Sequence, residues 1–221
     1  MKPTFQFRVP ANLFAAVCVA RDTTRAPRYW LEGVKFEMNA FGNILMIATD
    51  GKIMTVAGTK YQETDTLYLA GDYTNPLEIS KPLEANAKKA KAETVCLKDD
   101  GIVRVLDKLD VPIYMENAGQ IDGTFPDWRR IIPGHLGGKL RGVGFSSAPM
   151  RRILETGKIA TGNNNATYSV SFNEDDTSPV LVQFDGEPGL FSIIMPSRSK
   201  TSYGDYPFDI SLKEPKAIAA E

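Results

Sequence analysis

One pattern recurs along this chain and limits what it can fold into: a strand, then a helix, then a run of short antiparallel strands. Its passes begin near Phe5, Leu67 and Leu140. A unit this small cannot bury the apolar face of its own helix, so such units must stack against one another. Helices gathered over antiparallel strands predict the α+β class, built here from about three modules of one helix on strands.

In the first pass, residues 4–9 alternate as a strand. Asn12 reads as an N-cap, and Leu13, Phe14, Val17 and Cys18 follow at helical spacing up to Arg21. Residues 28–38 and 44–49 read as strands around a turn at 41–43, and Asp50-Gly51 is a two-residue hairpin signal before a returning strand at 52–57. In the second pass a strand at 66–70 leads through a turn-rich stretch to a helix over 80–91, with Ser80 as its N-cap and Pro82 in its first turn. Strands at 94–97, 102–106 and 111–115 follow. In the third, a strand at 140–145 precedes a helix over 147–156, with Met150, Ile153 and Leu154 on one face and Gly157 as its stop. Strands at 166–172, 180–184 and 190–195 complete it. Residues 199–221 read as a tail, ordered only where Tyr203, Tyr206 and Phe208 find a surface.

Between the second and third passes lies Ile121-Asp-Gly-Thr-Phe-Pro-Asp-Trp-Arg-Arg-Ile-Ile-Pro133. Pro126 and Pro133 push Phe125 and Ile132 away from helical conformations, so an extended connector is expected here. Taken alone it is a tether whose Phe125 and Trp128 fill hydrophobic pockets.

Chemical motifs are scarce. His135 is the single histidine, in a glycine-rich loop with no metal-binding partner at the right spacing. No serine sits in a nucleophile elbow, and the spacing of Gly134-His-Leu-Gly-Gly-Lys139 is wrong for a phosphate loop. Asp99-Asp100 and Asp175-Asp176 fall in turns, where solvated acids are ordinary. The expectation is a protein without catalytic residues, metal or cofactor. The net charge of -1 means that any nucleic-acid contact must come from local clusters of Lys and Arg. Only Cys18 and Cys96 are present, each in an apolar context, and no apolar run approaches bilayer length. Buried, reduced thiols, a cytoplasmic location and no membrane contact are expected.

Three stretches together carry a resemblance: the connector, Ile47-Ala-Thr-Asp-Gly-Lys-Ile-Met54 before it, and Leu190-Phe-Ser-Ile-Ile-Met-Pro-Ser-Arg198 after it. In this order they resemble the bacterial DNA polymerase III beta subunit, the sliding clamp. That family has an Ala-Thr-Asp-Gly-His-Arg-Leu hairpin, a Phe-Pro-Asp-Tyr-Arg-Arg-Val-Leu-Pro connector and a terminal Val-Met-Pro-Met-Arg-Leu. Arg28-Tyr-Trp-Leu-Glu-Gly-Val-Lys-Phe-Glu37 is similar to a further family stretch. The departures are Lys52, Ile53 and Met54 in the hairpin and Ser197 in the terminal strand. The resemblance implies a shortened relative, lacking the first domain and half of the last and suited to a phage or mobile element. Residues 1–124 would form a two-module domain, 125–198 the connector with one module, and 199–221 a tail.

What the resemblance implies about function is specific. The family encircles duplex DNA without reading sequence and tethers DNA polymerase. Arg28, Tyr29 and Trp30, with Lys81, Lys88, Lys89, Lys91, Arg151 and Arg152 (Lys158 beside them), would face DNA. A partner groove for peptides of polymerase and clamp loader would use Leu31, Thr49, Gly51, Lys52, Met54, Pro126, Arg130, Ile131, Ile193, Met195, Pro196 and Arg198. A homo-oligomer would be needed for a ring. The alternative is a non-ring interaction protein that binds or sequesters replication proteins through the same groove. Asp209-Ile-Ser-Leu212 loosely resembles the peptides that such grooves accept.

Overall fold

A computed structural model describes residues 7–24, 27–39, 43–59, 75–97, 100–132, 144–172 and 178–197. Strand β1 (Phe7–Pro10) runs directly into helix α1 (Ala11–Cys18), because Pro10 fixes its own φ at -58° where the helix must start. The expected cap at Asn12 is not used. Asn12 already lies inside the helix, and its side-chain amide donates to the Ala160 carbonyl 2.7 Å away on a later helix. Every other residue of α1 is buried, which its run of small side chains permits. Phe36 stacks on Phe7 with ring centroids 4.2 Å apart beneath it. Burial pushes the Cys18 thiol up to about 12, so it is an inert core residue.

The remaining described elements are β2 (Lys35–Met38), β3 (Ile44–Thr49), β4 (Ile53–Thr59), α2 (Lys81–Ala87), β5 (Thr94–Leu97), β6 (Ile102–Leu106), β7 (Pro112–Asn117), α3 (Ser147–Thr161), β8 (Tyr168–Ser171), β9 (Val180–Phe184) and β10 (Leu190–Ile194). They form two antiparallel sheets, ordered β1-β5-β6-β7 and β2-β3-β4-β10-β9-β8. The helices pack over the sheets, with α1 touching both α2 and α3. The chain is α+β, as its strand–helix periodicity requires.

Several boundaries differ from the sequence expectation. Residues 28–38 do not form one strand: Tyr29–Glu32 is a 3-10 turn that buries Leu31, and extended pairing starts only at Val34. Helix α2 keeps its Ser80 cap, whose hydroxyl accepts from the Leu83 amide at 3.0 Å, but it ends at Ala87. The connector is not wholly extended either, since Trp128–Ile131 closes a second 3-10 turn. Within the expected strand 140–145 the described part pairs only at Gly144, with Ser197. The expected strand at 66–70, most of the turn at 41–43, His135 and the tail lie outside the described residues.

Helix α3 overruns its expected stop and ends at Gly162, which takes φ 68° as a left-handed cap. Gly157 is there for space instead: a Cβ on it would meet the Phe184 ring at 2.8 Å. Gly157→Val is therefore expected to destabilise the fold by about 1–3 kcal/mol through overpacking, read as a lower midpoint in thermal denaturation.

The third module joins the first along one seam. Strand β10 pairs antiparallel with β4 in the register Leu190↔Ala57 to Ile194↔Ile53. At its centre the buried hydroxyls of Thr55 and Ser192 lie 2.8 Å apart. At one end the Gly58 amide donates to the Gly189 carbonyl at 2.7 Å, an approach that a Cβ on Gly189 would block. Two arginines fasten the far end of α1. Arg21 donates to the Glu32 and Ile79 carbonyls and pairs with Glu84 on α2, while Arg152 of α3 donates to the Val19 and Arg21 carbonyls and pairs with Asp50.

Candidate functional site

Where the seam meets the connector, the surface opens into a groove with a cavity of about 270 Å³. Its first wall is the β3–β4 hairpin, which hydrogen bonds make rigid. The Thr49 hydroxyl donates to the Ile53 carbonyl at 2.7 Å and accepts from the Gly51 amide at 3.0 Å. One Asp50 oxygen accepts from the amides of Lys52 and Ile53, and the other is held by Arg152. Gly51 takes φ 85°, which an L side chain adopts only under strain.

The floor is apolar. Leu31, Met54 and Ile193 are each 1% exposed and belong to a second hydrophobic cluster with Ile47, Val56, Phe125 and Trp128. The opposite wall is the connector, contributing Pro126, Asp127, Trp128 and Ile131. One carboxylate holds that wall in place: Glu37 on β2 accepts from the Trp128 indole at 3.0 Å and pairs with Arg129 at 2.6 Å. Arg129 in turn lies 4.4 Å over the Trp128 ring. Met195 closes one end. Its amide donates to the Lys52 carbonyl at 3.0 Å, and its side chain is 39% exposed at the mouth.

Of the residues that the resemblance assigned to a partner groove, Leu31, Thr49, Gly51, Lys52, Met54, Pro126, Ile131, Ile193 and Met195 line this one cavity. Arg130 and Pro196 lie outside its lining, and Arg198 lies outside the described residues. Arg28, Ile53, Asp127 and Trp128 line it in addition. Asp127 and Trp128 stand in the connector motif itself, and Ile53 in the hairpin motif.

Arg28, expected among the DNA-facing residues, lines the groove, with its guanidinium nitrogen 3.1 Å from where a Cβ of Gly51 would stand. Near it, burial pushes the Asp22 carboxyl up. Bonds from the Thr24 hydroxyl and amide, with Arg28 and Arg152 close by, prevail and hold it below the usual carboxylate range. Trp30 is a packing residue as well, edge-on to Tyr29 at 5.3 Å and against Gly123, while Tyr29 stays half exposed.

The cations expected on helices divide. Arg152 is not a free phosphate contact, because its guanidinium is engaged with Asp50 and two main-chain carbonyls. Lys88 pairs with Glu84 at 2.8 Å and Glu155 at 3.7 Å, bridging α2 and α3. The Lys89 ammonium donates to the Asn86 side chain at 2.7 Å. Lys81, Lys91 and Arg151 are exposed and join no ion pair found among the described residues.

No family model matches this sequence. It is 28% identical to the beta sliding clamp of Haemophilus influenzae over 136 residues, covering 58% of this chain and 33% of that protein. The C. crescentus beta sliding clamp superposes with a TM-score of 0.58 at 17% identity, over 88% of this chain and 65% of the other. The chain is beta-clamp-like. Thermotoga maritima DNA polymerase III beta subunit gives a TM-score of 0.53 at 18% identity, over 88% of this chain and 66% of that one. The Bartonella birtlesii DnaN sliding clamp, in a structure bound to griselimycin, gives 0.57 at 13% identity over the same shares. This clamp-like chain thus spans a third of the curated relative it matches and about two thirds of the solved clamps. Among its described residues no helix is long and apolar enough to cross a membrane.

Proposed function

We propose that this chain is a clamp-like DNA replication factor, acting by attachment and not by catalysis, which receives peptide segments of polymerase and clamp-loader proteins in the groove. The observation that carries this reading is the groove's composition: a buried Leu, Met and Ile floor between a hydrogen-bonded hairpin and a carboxylate-anchored connector, with Arg28 and Lys52 beside it. Flexible Met and aliphatic side chains suit short apolar anchors, and the cations suit a polar or acidic flank. In this reading residues 1–124 act as a two-module unit and 125–198 as connector and third module. Homo-oligomers bring their helices around duplex DNA, and Lys81, Lys91 and Arg151 supply sequence-independent phosphate contacts.

Fluorescence anisotropy with a labelled clamp-binding peptide of a replicative polymerase tests the groove. Saturable binding is expected, weakened about tenfold or more by Met195→Glu, which puts a charge at the mouth without touching the floor. Binding that is absent, or indifferent to Met195→Glu, overturns the reading. Retention on nicked circular DNA, lost on linearisation and with Lys81, Lys91 and Arg151 changed to Glu, tests encirclement. The pairing of Lys88 with Glu84 and Glu155 favours a second reading, in which the chain binds replication proteins through the groove without a ring. Peptide binding without retention on circular DNA selects it.

A further inference from the structure

Two methionines serve the groove from different depths. Met54 lies in the floor, 1% exposed, and Met195 stands at the mouth, 39% exposed. The main chain holds Met195 there, since its amide donates to the Lys52 carbonyl at 3.0 Å and Pro196 follows it. Its thioether is therefore open to solvent, while its backbone cannot carry it away from the opening. Among the described residues the other exposed methionine is Met115, on the edge strand β7 of the other sheet. Met46 is buried and Met150 partly buried. The thiols of Cys18 and Cys96 are both buried and do not compete for an oxidant arriving from solvent.

A thioether is a soft, apolar group, and one added oxygen atom turns it into a polar acceptor. At Met195 that acceptor stands beside the floor of Leu31, Met54 and Ile193, where an apolar anchor offers it no donor. Burying an unpaired oxygen there opposes capture of the anchor. Arg28 and Lys52 line the same cavity and carry donors that a sulfoxide oxygen accepts. Cations drawn to that oxygen are no longer free for the flank of a peptide.

We propose that Met195 is an oxidation site, a thioether whose conversion to the sulfoxide by peroxide shuts the groove, in a switch that presupposes the peptide capture proposed above. The step is a two-electron transfer of one oxygen atom. An S–O bond forms at Sδ as the O–O bond of the peroxide breaks, the sulfur is oxidised, and hydrogen peroxide leaves as water. Met54 keeps its thioether because it is covered, so the change is confined to the mouth and the core is spared. A thiol-dependent methionine sulfoxide reductase reverses the step, and the oxygen departs as water.

Hydrogen peroxide treatment of the full chain tests this, read by mass-spectrometric peptide mapping and by anisotropy with the labelled polymerase peptide. Met195 and Met115 are expected to gain oxygen ahead of Met54, and peptide affinity to fall by about fivefold or more. Bound peptide should slow oxidation at Met195 and not at Met115. Sulfoxide reductase should restore the affinity. A Met195→Leu chain should hold whatever affinity it has through the same treatment, whereas a Met115→Leu chain should lose affinity as the unaltered chain does. Circular dichroism establishes that both variants fold. An affinity that stays within about twofold once Met195 is oxidised overturns the proposal, as does an equal loss in the Met195→Leu chain. An untreated chain that binds no peptide overturns the groove reading and the switch with it, while binding that peroxide leaves untouched overturns the switch alone.

Discussion

Arg152→Ala is expected to cost about 2–4 kcal/mol of stability, read as a lower midpoint in urea denaturation. The side chain is only partly exposed and its guanidinium serves three partners, the carbonyls of Val19 and Arg21 and the Asp50 carboxylate. Removing it leaves those carbonyls without their donor and strands the Asp50 charge at the turn that shapes the groove. The estimate stays below that for a fully buried pair because solvent reaches a quarter of the arginine side chain. Arg152→Lys is not expected to restore the loss, since a single ammonium cannot span three acceptors in the guanidinium's plane. Arg151→Ala is the control. That residue is exposed, so its loss should change stability by no more than about 0.5 kcal/mol. Equal effects at the two positions would remove the distinction between a seam arginine and a surface one.

Trp128→Ala should be comparably severe, at about 3–4 kcal/mol, and should also abolish peptide capture. Trp128 is 6% exposed, packs in the cluster under the groove and donates to Glu37, the residue that also holds Arg129. Without the indole the connector loses both its bond to Glu37 and its packing in the cluster that also holds Phe125. Trp128→Phe keeps most of the packing and forfeits the bond to Glu37, so about 1 kcal/mol is expected. Hydrogen exchange across 125–131 discriminates the causes: fast exchange in the alanine variant, with the hairpin at 49–53 still protected, is the expected result. Unchanged protection of the connector would show that Trp128 is not its anchor.

Much of this architecture was readable in advance, for identifiable reasons. Strands such as residues 180–184, rich in β-branched side chains between turn residues, and the Asp50-Gly51 hairpin are determined locally. Ser80 was readable as a cap because its hydroxyl needs only the amide three residues on. The misreadings arose where tertiary contacts decide. Asn12 looks like a cap until Ala160 is brought beside it, and Gly157 looks like a stop until Phe184 explains the missing side chain. At residues 28–33 the chain bends because Leu31 is drawn into the cluster under the groove. The groove was legible only by resemblance, since no local rule links residues near 50, 128 and 193. The roles of Arg28 and Arg152 depend on partners elsewhere in the chain, and a guanidinium engaged by carbonyls reads in sequence like one facing solvent.

The seam also fixes an order of events during folding. Thr55 and Ser192 meet across 137 positions, so strand β4 must wait for β10 through most of synthesis. Until then its outer hydrogen-bonding edge has no partner strand, and Met54 and Val56 have only the part of their cluster that precedes β10, formed by Leu31, Ile47, Phe125 and Trp128. A nascent chain therefore carries an aggregation-prone strand that its own last described strand later quenches. Groove and quenching strand arrive together, so the groove is complete only at the moment when the edge of β4 is covered.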